Sequence, residues 1–238
     1  MTFDDSEHLL AKHYFTSAIE LANKANDSPL VGHVLRAMAH QALDLGILAE
    51  AHDLATASVE GDRYGRASPR ERSLLGVIHA RSLAARGEAG RASSVLLQAE
   101  DDLSKAGSQF PEPSRVFFFS EASLAHETAC ALRDLGDLSG ADEMFQRSIK
   151  LRDASRFTRT HAVTLGYLGD IKARQGEIGE ACAAWSKALN AMQGVRSGRT
   201  RRVVAEMRAT LLPLSKEDAV ARELEYMAVT YLADTSPS

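Results

Sequence analysis

The stretch Asp134-Leu135-Gly136-Asp137-Leu138-Ser139-Gly140-Ala141, followed by Phe145 and Ser148, decides how the rest of the chain is read. It has the form of a tight turn between two amphipathic helices, with a small residue five positions after the glycine. Glycine takes the left-handed conformation that ends a helix without steric cost. The alanine marks where the second helix presses on the first and leaves room for nothing larger. Gly46 with Ala51, Gly87 with Ala92 and Gly176 with Ala181 repeat the device, so that the four glycines stand 41, 49 and 40 residues apart. One such pair carries no information, but four in phase mark a helix-pair repeat. One turn further on stand Ala55, Leu96, Phe145 and Trp185, the last the only tryptophan, each placed to fill the gap to a neighbouring helix.

Working outward, the apolar periodicity places first helices at about 29–45, 69–86, 114–135 and 157–175. Their partners fall at about 47–60, 88–106, 137–153 and 177–193. Ahead of them, Ser6 to about Asn26 reads as the second helix of a repeat whose first helix is missing. Helices near 198–211 and 215–233 follow, and the last pair, with Glu217, Asp218, Arg222, Glu223 and Glu225 outward, caps the open end of the stack. Pro29 and Pro69 sit just before apolar periodicities, where a missing N–H costs least. Pro111 and Pro113 lie in the loop that accounts for the long interval, and Pro213 separates the last two helices. Neither an alternating strand pattern nor a Gly/Ser linker interrupts this order. The expectation is one all-α domain over 1–238: a half-repeat helix at 1–26, four hairpins over 29–193 and capping helices over 198–233, about ten to eleven helices in all.

Bulk composition bounds the function classes. Hydrophobic residues at 45% supply a sizeable core, and aromatics at 6% with abundant alanine and leucine suit close-packed helices. A net charge of -4 and a pI near 6.1 argue against nucleic acid as a partner of the whole surface. Cys130 and Cys182 are too few for a disulfide framework. No apolar run approaches the ~20 residues of a membrane span, and the acidic start Met1-Thr2-Phe3-Asp4-Asp5 lacks the features of a signal peptide. The expected location is the cytoplasm.

The turns resemble those of tetratricopeptide repeats. Leu165, Leu168-Gly169, Gly176, Ala181, Trp185 and Ala188 follow that consensus most closely, while Ala39, Ala80 and Ala129 stand where Gly169 stands. The fold this implies is a right-handed superhelix of tetratricopeptide-like helical hairpins. A narrower resemblance runs from about residue 30 to 225. It is carried by Ala42-Leu43-Asp44-Leu45-Gly46, Phe117-Phe118-Phe119-Ser120-Glu121-Ala122, Leu135-Gly136-Asp137, Gln175-Gly176-Glu177-Ile178-Gly179-Glu180-Ala181-Cys182 and Gly194-Val195-Arg196-Ser197-Gly198-Arg199. Together these resemble the C-terminal sensor half of actinobacterial XRE-type helix-turn-helix transcriptional regulators. Nothing before residue 30 is long enough to be their DNA-binding domain, so the chain is expected to be a stand-alone relative of the sensor half or a piece of a longer regulator. Direct DNA contact is not expected without a separate domain. The short basic run Arg196–Arg202 lacks interleaved aromatics and continues into no stripe.

No catalytic or phosphate-binding motif occurs in the sequence. His126-Glu127 comes nearest to a zinc-binding pair, but Cys130 takes the place of the second histidine. His33 and His40 lie two helical turns apart, roughly 10 Å along the axis, too far to share one ion. No metal, cofactor or catalytic residue is assigned.

In this repeat type the first helices line the concave surface. Positions 13, 10, 6, 3 and 2 before each turn glycine give His33, Arg36, His40, Leu43 and Asp44; Leu74, Val77, Arg81, Ala84 and Ala85; Ser123, His126, Cys130, Arg133 and Asp134; and Val163, Gly166, Asp170, Ala173 and Arg174. Arginine forks pair with carboxylates in bidentate fashion, so an acidic peptide, a protein segment or a small acidic effector suits this groove. The plainer expectation is ion pairing within it, such as Arg36–His40–Asp44. Three aromatics at the start of a helix cannot all face one core, so Phe117, Phe118 or Phe119 either walls a ligand pocket closed by the Pro111–Pro113 loop or covers that loop. The candidate groove residues are His33, Arg36, His40, Asp44, Arg81, Phe117, His126, Cys130, Arg133, Asp170 and Arg174. The function expected is non-catalytic, regulatory binding linked to transcriptional control. The alternatives are a passive protein–protein scaffold or a direct regulator of a partner enzyme, and a homodimer is a further option.

Overall fold

The computed structural model describes residues 8–107 and 111–235. Ser6 and Glu7, the expected start of the first helix, and residues 108–110 of the proline loop lie outside the described residues. Twelve α-helices occur among the described residues: α1 (His8–Lys24), α2 (Ser28–Asp44), α3 (Leu48–Ser58), α4 (Asp62–Gly65), α5 (Pro69–Ala84), α6 (Ala89–Ser104), α7 (Glu121–Asp134), α8 (Leu138–Leu151), α9 (Thr158–Arg174), α10 (Ile178–Ala191), α11 (Gly198–Leu214) and α12 (Ala219–Asp234). A 3-10 turn spans Ser114–Val116, and there is no strand among the described residues. The helix beyond the expected number is α4, a single turn between α3 and α5. No helix is long and apolar enough to cross a membrane. The described residues form two compact units, one ending at Asp137 and one beginning at Leu138.

The turn glycines all have positive φ, +72° at Gly46, +77° at Gly87, +85° at Gly136 and +83° at Gly176. Each turn closes with the same pair of backbone bonds. Around Gly46, the Ile47 N–H donates to Ala42 O at 2.9 Å and the Gly46 N–H to Leu43 O at 3.1 Å. Glu88, Asp137 and Glu177 repeat the first bond to Leu83, Leu132 and Lys172. This is the Schellman motif, which satisfies carbonyls that a helix end would otherwise strand. Ala51, Ala92, Ala141 and Ala181 are wholly buried, as their spacing from the glycines requires.

A further turn of this kind joins α1 to α2. Asn26 has φ +53°, and the Asp27 N–H donates to Ala22 O at 3.0 Å. Asparagine tolerates the left-handed region better than other side chains, so a search for glycine alone passes over it.

In the first unit the core is built from Ala39, Ala55, Leu74, Val77, Ile78, Ala99, Val116, Phe119 and Leu124. Helix α5 is buried on nearly all sides because α2, α3, α6 and α7 all pack on it. In the second unit Trp185 is the largest buried side chain, among Ala162, Leu165, Met192, Val203, Met207, Leu211 and Leu224. Its indole N–H donates to Gly166 O at 3.2 Å. A Cβ added to Gly169 would sit 2.3 Å from the indole ring, which accounts for glycine there and alanine at 39 and 80. The bulkiest filler thus lies against the smallest helix position.

Two expected boundaries are corrected. The helix expected from 114 begins at Glu121, because a 3-10 turn buries both Val116 and Phe119, three residues apart, and Ser120 is extended (φ -141°, ψ 178°). Pro213 does not separate the last two helices but lies in the final turn of α11. There it forfeits a single backbone bond, and the helix closes with the Ser215 N–H on Leu211 O at 2.9 Å.

Two substitutions test the packing, both followed by Trp185 fluorescence during urea unfolding. Gly169→Ala should cost about 3 kcal/mol through the overpacked indole. Gly176→Ala should cost about 1 kcal/mol through its left-handed backbone. A Gly169→Ala protein as stable as the natural one would contradict this packing.

Candidate binding face

A linked set of charged residues of the first unit, several of them buried, lies on and beside α2, α5 and α7. At the head of α2, Asp27 accepts from the Leu30 N–H at 3.0 Å. At the head of α5, Ser68 caps the Glu71 N–H at 3.3 Å, with Pro69 in the first turn. Ser68 and Glu71 have the spacing of a capping box, but Glu71 points elsewhere. Its two oxygens accept from Arg115 Nε and Nη2 at 2.7 and 3.0 Å, and His33 Nδ1 lies 3.4 Å away. Arg115 also reaches Asp27, at 3.5 Å. Further along, Arg81 of α5 donates to Glu127 of α7 at 2.7 Å. Between these pairs lies Arg36 of α2, only 8% exposed.

Arg36 is the unusual member. Its Nη2 donates to His33 Nε2 at 3.2 Å, and its buried Nε has no hydrogen-bond partner. Glu71 and Glu127 act on it through space, with neither in an ion pair to it. Burial pulls the guanidinium down to about 10, against the opposing pull of Glu127 and Glu71. By accepting from Arg36, His33 is fixed as the neutral tautomer with its hydrogen on Nδ1, facing Glu71. Burial likewise lowers the His33 value.

The carboxylates are held ionised. Burial alone would raise Glu127, but Arg81, then His40 and His126, hold it far below the usual range. Burial would raise Glu71 too, and His33 and the Arg115 fork outweigh it. Burial pushes the Cys130 thiol up to about 11, so it is a poor nucleophile although its sulfur is 3.9 Å from His126 Nε2.

Residues 111–119 fold back across the heads of α2 and α5. Ser68 Oγ donates to Glu112 at 2.5 Å, and the Arg70 and Gly107 N–H groups donate to the same carboxylate at 3.3 Å. Arg70 Nη1 donates to Phe119 O at 2.5 Å. Phe119 is core and Phe118 half-buried, while Phe117 is 64% exposed and stands edge-on to Phe118. Phe117 is therefore the aromatic that the core cannot accommodate.

The structure thus brings together His33, Arg36, His40 and Asp44 on α2, Arg81 on α5, and His126, Cys130 and Arg133 on α7. Arg36 turns to His33, not along its helix to His40 and Asp44, and Arg133 pairs with Asp134 at 2.9 Å. Leu74 and Val77, expected in the groove, belong to the core because 111–119 covers that part of α5. Asp170 and Arg174 lie in the second unit, half-exposed and 3.9 Å apart. Glu71, Asp27 and Arg115 were not singled out from the sequence, and Glu127 was named only beside His126 in the incomplete zinc-binding pattern. Glu71 lies sixteen residues before Gly87, one helical turn beyond the offsets used, so extending the stripe would have found it. Among the described residues, no group of three or more His, Cys, Asp or Glu is placed to hold a metal ion.

These hairpins have the all-α fold of tetratricopeptide-like repeat proteins. The chain is similar to the crystal structure of BtubC (BKLC) from P. vanneervenii, with a TM-score of 0.58 and 16% identity over 96% of this chain and 87% of that one. It is also similar to the nearly identical TPR-like repeats of a putative kinesin light chain from Podosopora anserina, with a TM-score of 0.56 and 17% identity over 87% of this chain and 97% of that one. No protein-family model and no curated protein matches the sequence. At these identities the likeness establishes the fold, and the site must be read from its own residues.

The Arg81–Glu127 pair should show itself in acid. Glu127 titrates lower when folded than its ordinary 4.5, so its contribution is whole above 4.5 and is lost as pH falls towards the folded value. Glu127→Gln, followed by circular dichroism in urea, should lose about 3 kcal/mol at neutral pH because a buried guanidinium is left alone. The gap to the natural protein should narrow steadily below pH 4.5. A gap independent of pH would contradict the pairing.

Proposed function

We propose that the chain is a non-catalytic regulatory binding protein whose α2–α5–α7 face takes up an acidic segment of a protein or peptide partner, with a carboxylate reaching Arg36. The observation that carries this reading is the buried Arg36 guanidinium, which has an orphaned Nε and no carboxylate in an ion pair. A buried cation is costly unless paired, and an incoming carboxylate supplies the missing partner in the bidentate geometry that arginine favours. His40, Asp44, His126 and Arg133 flank the position and would set the register of the segment. Arg81 is already held by Glu127 and serves as the fixed wall. A repeat fold suits the role, since stacked hairpins present continuous faces to partners. The resemblance to the sensor half of actinobacterial XRE-type regulators supports placing this binding event in transcriptional control, in the cytoplasm.

The test is selection from a random peptide display library with free carboxy termini, using the full chain and Arg36→Met. The natural protein should enrich aspartate, glutamate or terminal carboxylates, and the variant should lose that enrichment. Arg36→Met should be no less stable than the natural protein, because it removes an uncompensated buried charge. Identical enrichment by both proteins would overturn the proposal. A stability loss above about 1 kcal/mol would instead make Arg36 a structural residue.

A further inference from the structure

A cavity of about 510 Å³ opens in the second unit, between the second half of α12, the end of α10 and residues 193–196. Leu189, Met227 and Tyr231 supply apolar surface, the first buried and the other two half-buried. Tyr226, which is 71% exposed, adds an open ring. The frame of the cavity is braced from two sides. The Tyr231 hydroxyl donates to Val195 O at 2.7 Å and lies 2.7 Å from Thr200 Oγ1, which pins the loop before α11 to α12. Arg201 Nη1 donates to Leu232 O at 2.8 Å and to Thr235 Oγ1 at 3.0 Å. Each of these bonds joins residues more than thirty apart in the chain, so the walls are held in place before any ligand arrives.

The threonines of the lining are already committed: Thr230 donates to Tyr226 O and Thr235 to Tyr231 O. The charges are not. Arg196 is the cation of the lining and Asp234 its carboxylate, and among the described residues neither side chain has an ion-pair or hydrogen-bond partner. They do not pair with each other, and Arg201, bound to the same end of α12, makes no ion pair with Asp234. Both stand where a helix dipole opposes them. Asp234 closes the last turn of α12, and Arg196 directly precedes the Ser197 cap of α11. Neither placement serves stability. A ligand with a carboxylate and an ammonium on one small body satisfies both poles at once, whereas a ligand of single charge leaves one open. The volume lies within the range of small-molecule sites, and a tyrosine ring attracts both aromatic rings and ammonium groups.

We propose that this cavity binds a free amino acid with an aromatic side chain, its carboxylate on Arg196, its ammonium on Asp234 and its ring against Tyr226 and Met227. The site lies in the second unit, shares no residue with the α2–α5–α7 face and goes beyond the function proposed for that face. The two therefore stand or fall separately.

The experiment is isothermal titration of the full chain with phenylalanine, N-acetylphenylalanine, which lacks the ammonium, and phenylalaninamide, which lacks the carboxylate. Arg196→Gln and Asp234→Asn are the variants; both side chains are exposed, and circular dichroism checks that each variant is folded. The natural protein should bind phenylalanine saturably, with a Kd of about 1 mM or below, and each blocked form at least about tenfold more weakly. Arg196→Gln should lose its preference for phenylalanine over phenylalaninamide, and Asp234→Asn its preference over N-acetylphenylalanine. Arg36→Met should bind phenylalanine as the natural protein does. Absence of saturable binding, phenylalanine affinity unchanged in both variants, or blocked forms binding as tightly as phenylalanine would each overturn the proposal.

Discussion

A left-handed residue at the end of one helix, followed five positions later by a buried alanine at the four glycine turns, is the constraint on which these turns depend. The left-handed residue lets two N–H groups reach back to the carbonyls of the finished helix. The alanine then lets the next helix lie close against it. Where this close approach is tightest, between α9 and α10, the first helix gives up even its Cβ at Gly169 to admit Trp185. Each hairpin is therefore set locally, within some forty residues of chain. Most buried residues of the second helices are small or apolar, with Asp102 of α6 as a buried charged exception.

The linked charges of the first unit lie mostly elsewhere. Helices α2, α5 and α7 are all first helices, and their shared face carries Asp27, Arg115, Glu71, His33, Arg36, Glu127 and Arg81 in a nearly alternating series. Alternation keeps most members paired although they are shielded from water, where unpaired charge is costly. Arg36 breaks the series. It sits between two carboxylates that are both committed to other cations, Glu71 to Arg115 and Glu127 to Arg81. A structural network would be expected to close on itself. We infer that one that leaves a buried guanidinium open keeps a place for an anion from outside.

The turns, the helix order and the in-phase alanines were legible because they rest on contacts close in sequence. Asn26 escaped because its left-handed turn uses the second-best residue for that conformation. Phe117-Phe118-Phe119 read as the start of a helix because apolar residues three apart suit either an α-helix or a 3-10 turn, and only burial of Val116 with Phe119 separates the two. On the face itself, Arg36, His40, Arg81 and His126 were reachable from fixed offsets before the turn glycines. Their partners were not. Arg115 meets Glu71 across 44 residues and Arg81 meets Glu127 across 46, through a loop and a helix pairing that no local pattern specifies. Asp170 and Arg174 satisfy the same offsets in the second unit, yet form only a loose exposed pair there. Offset alone finds a face and cannot say which charges on it are buried.

The central claim is that Arg36 is held open for a carboxylate, and the arginine side-chain NMR spectrum of the nitrogen-labelled full chain tests it most directly. The Arg36 Nε–H signal, assigned through Arg36→Met, would be followed while a selected acidic peptide is added. The account predicts that this signal shifts and its hydrogen exchange slows at saturation, while the exposed Arg174 in the second unit is unaffected. A peptide that saturates the protein and leaves the Arg36 signal unmoved would contradict it.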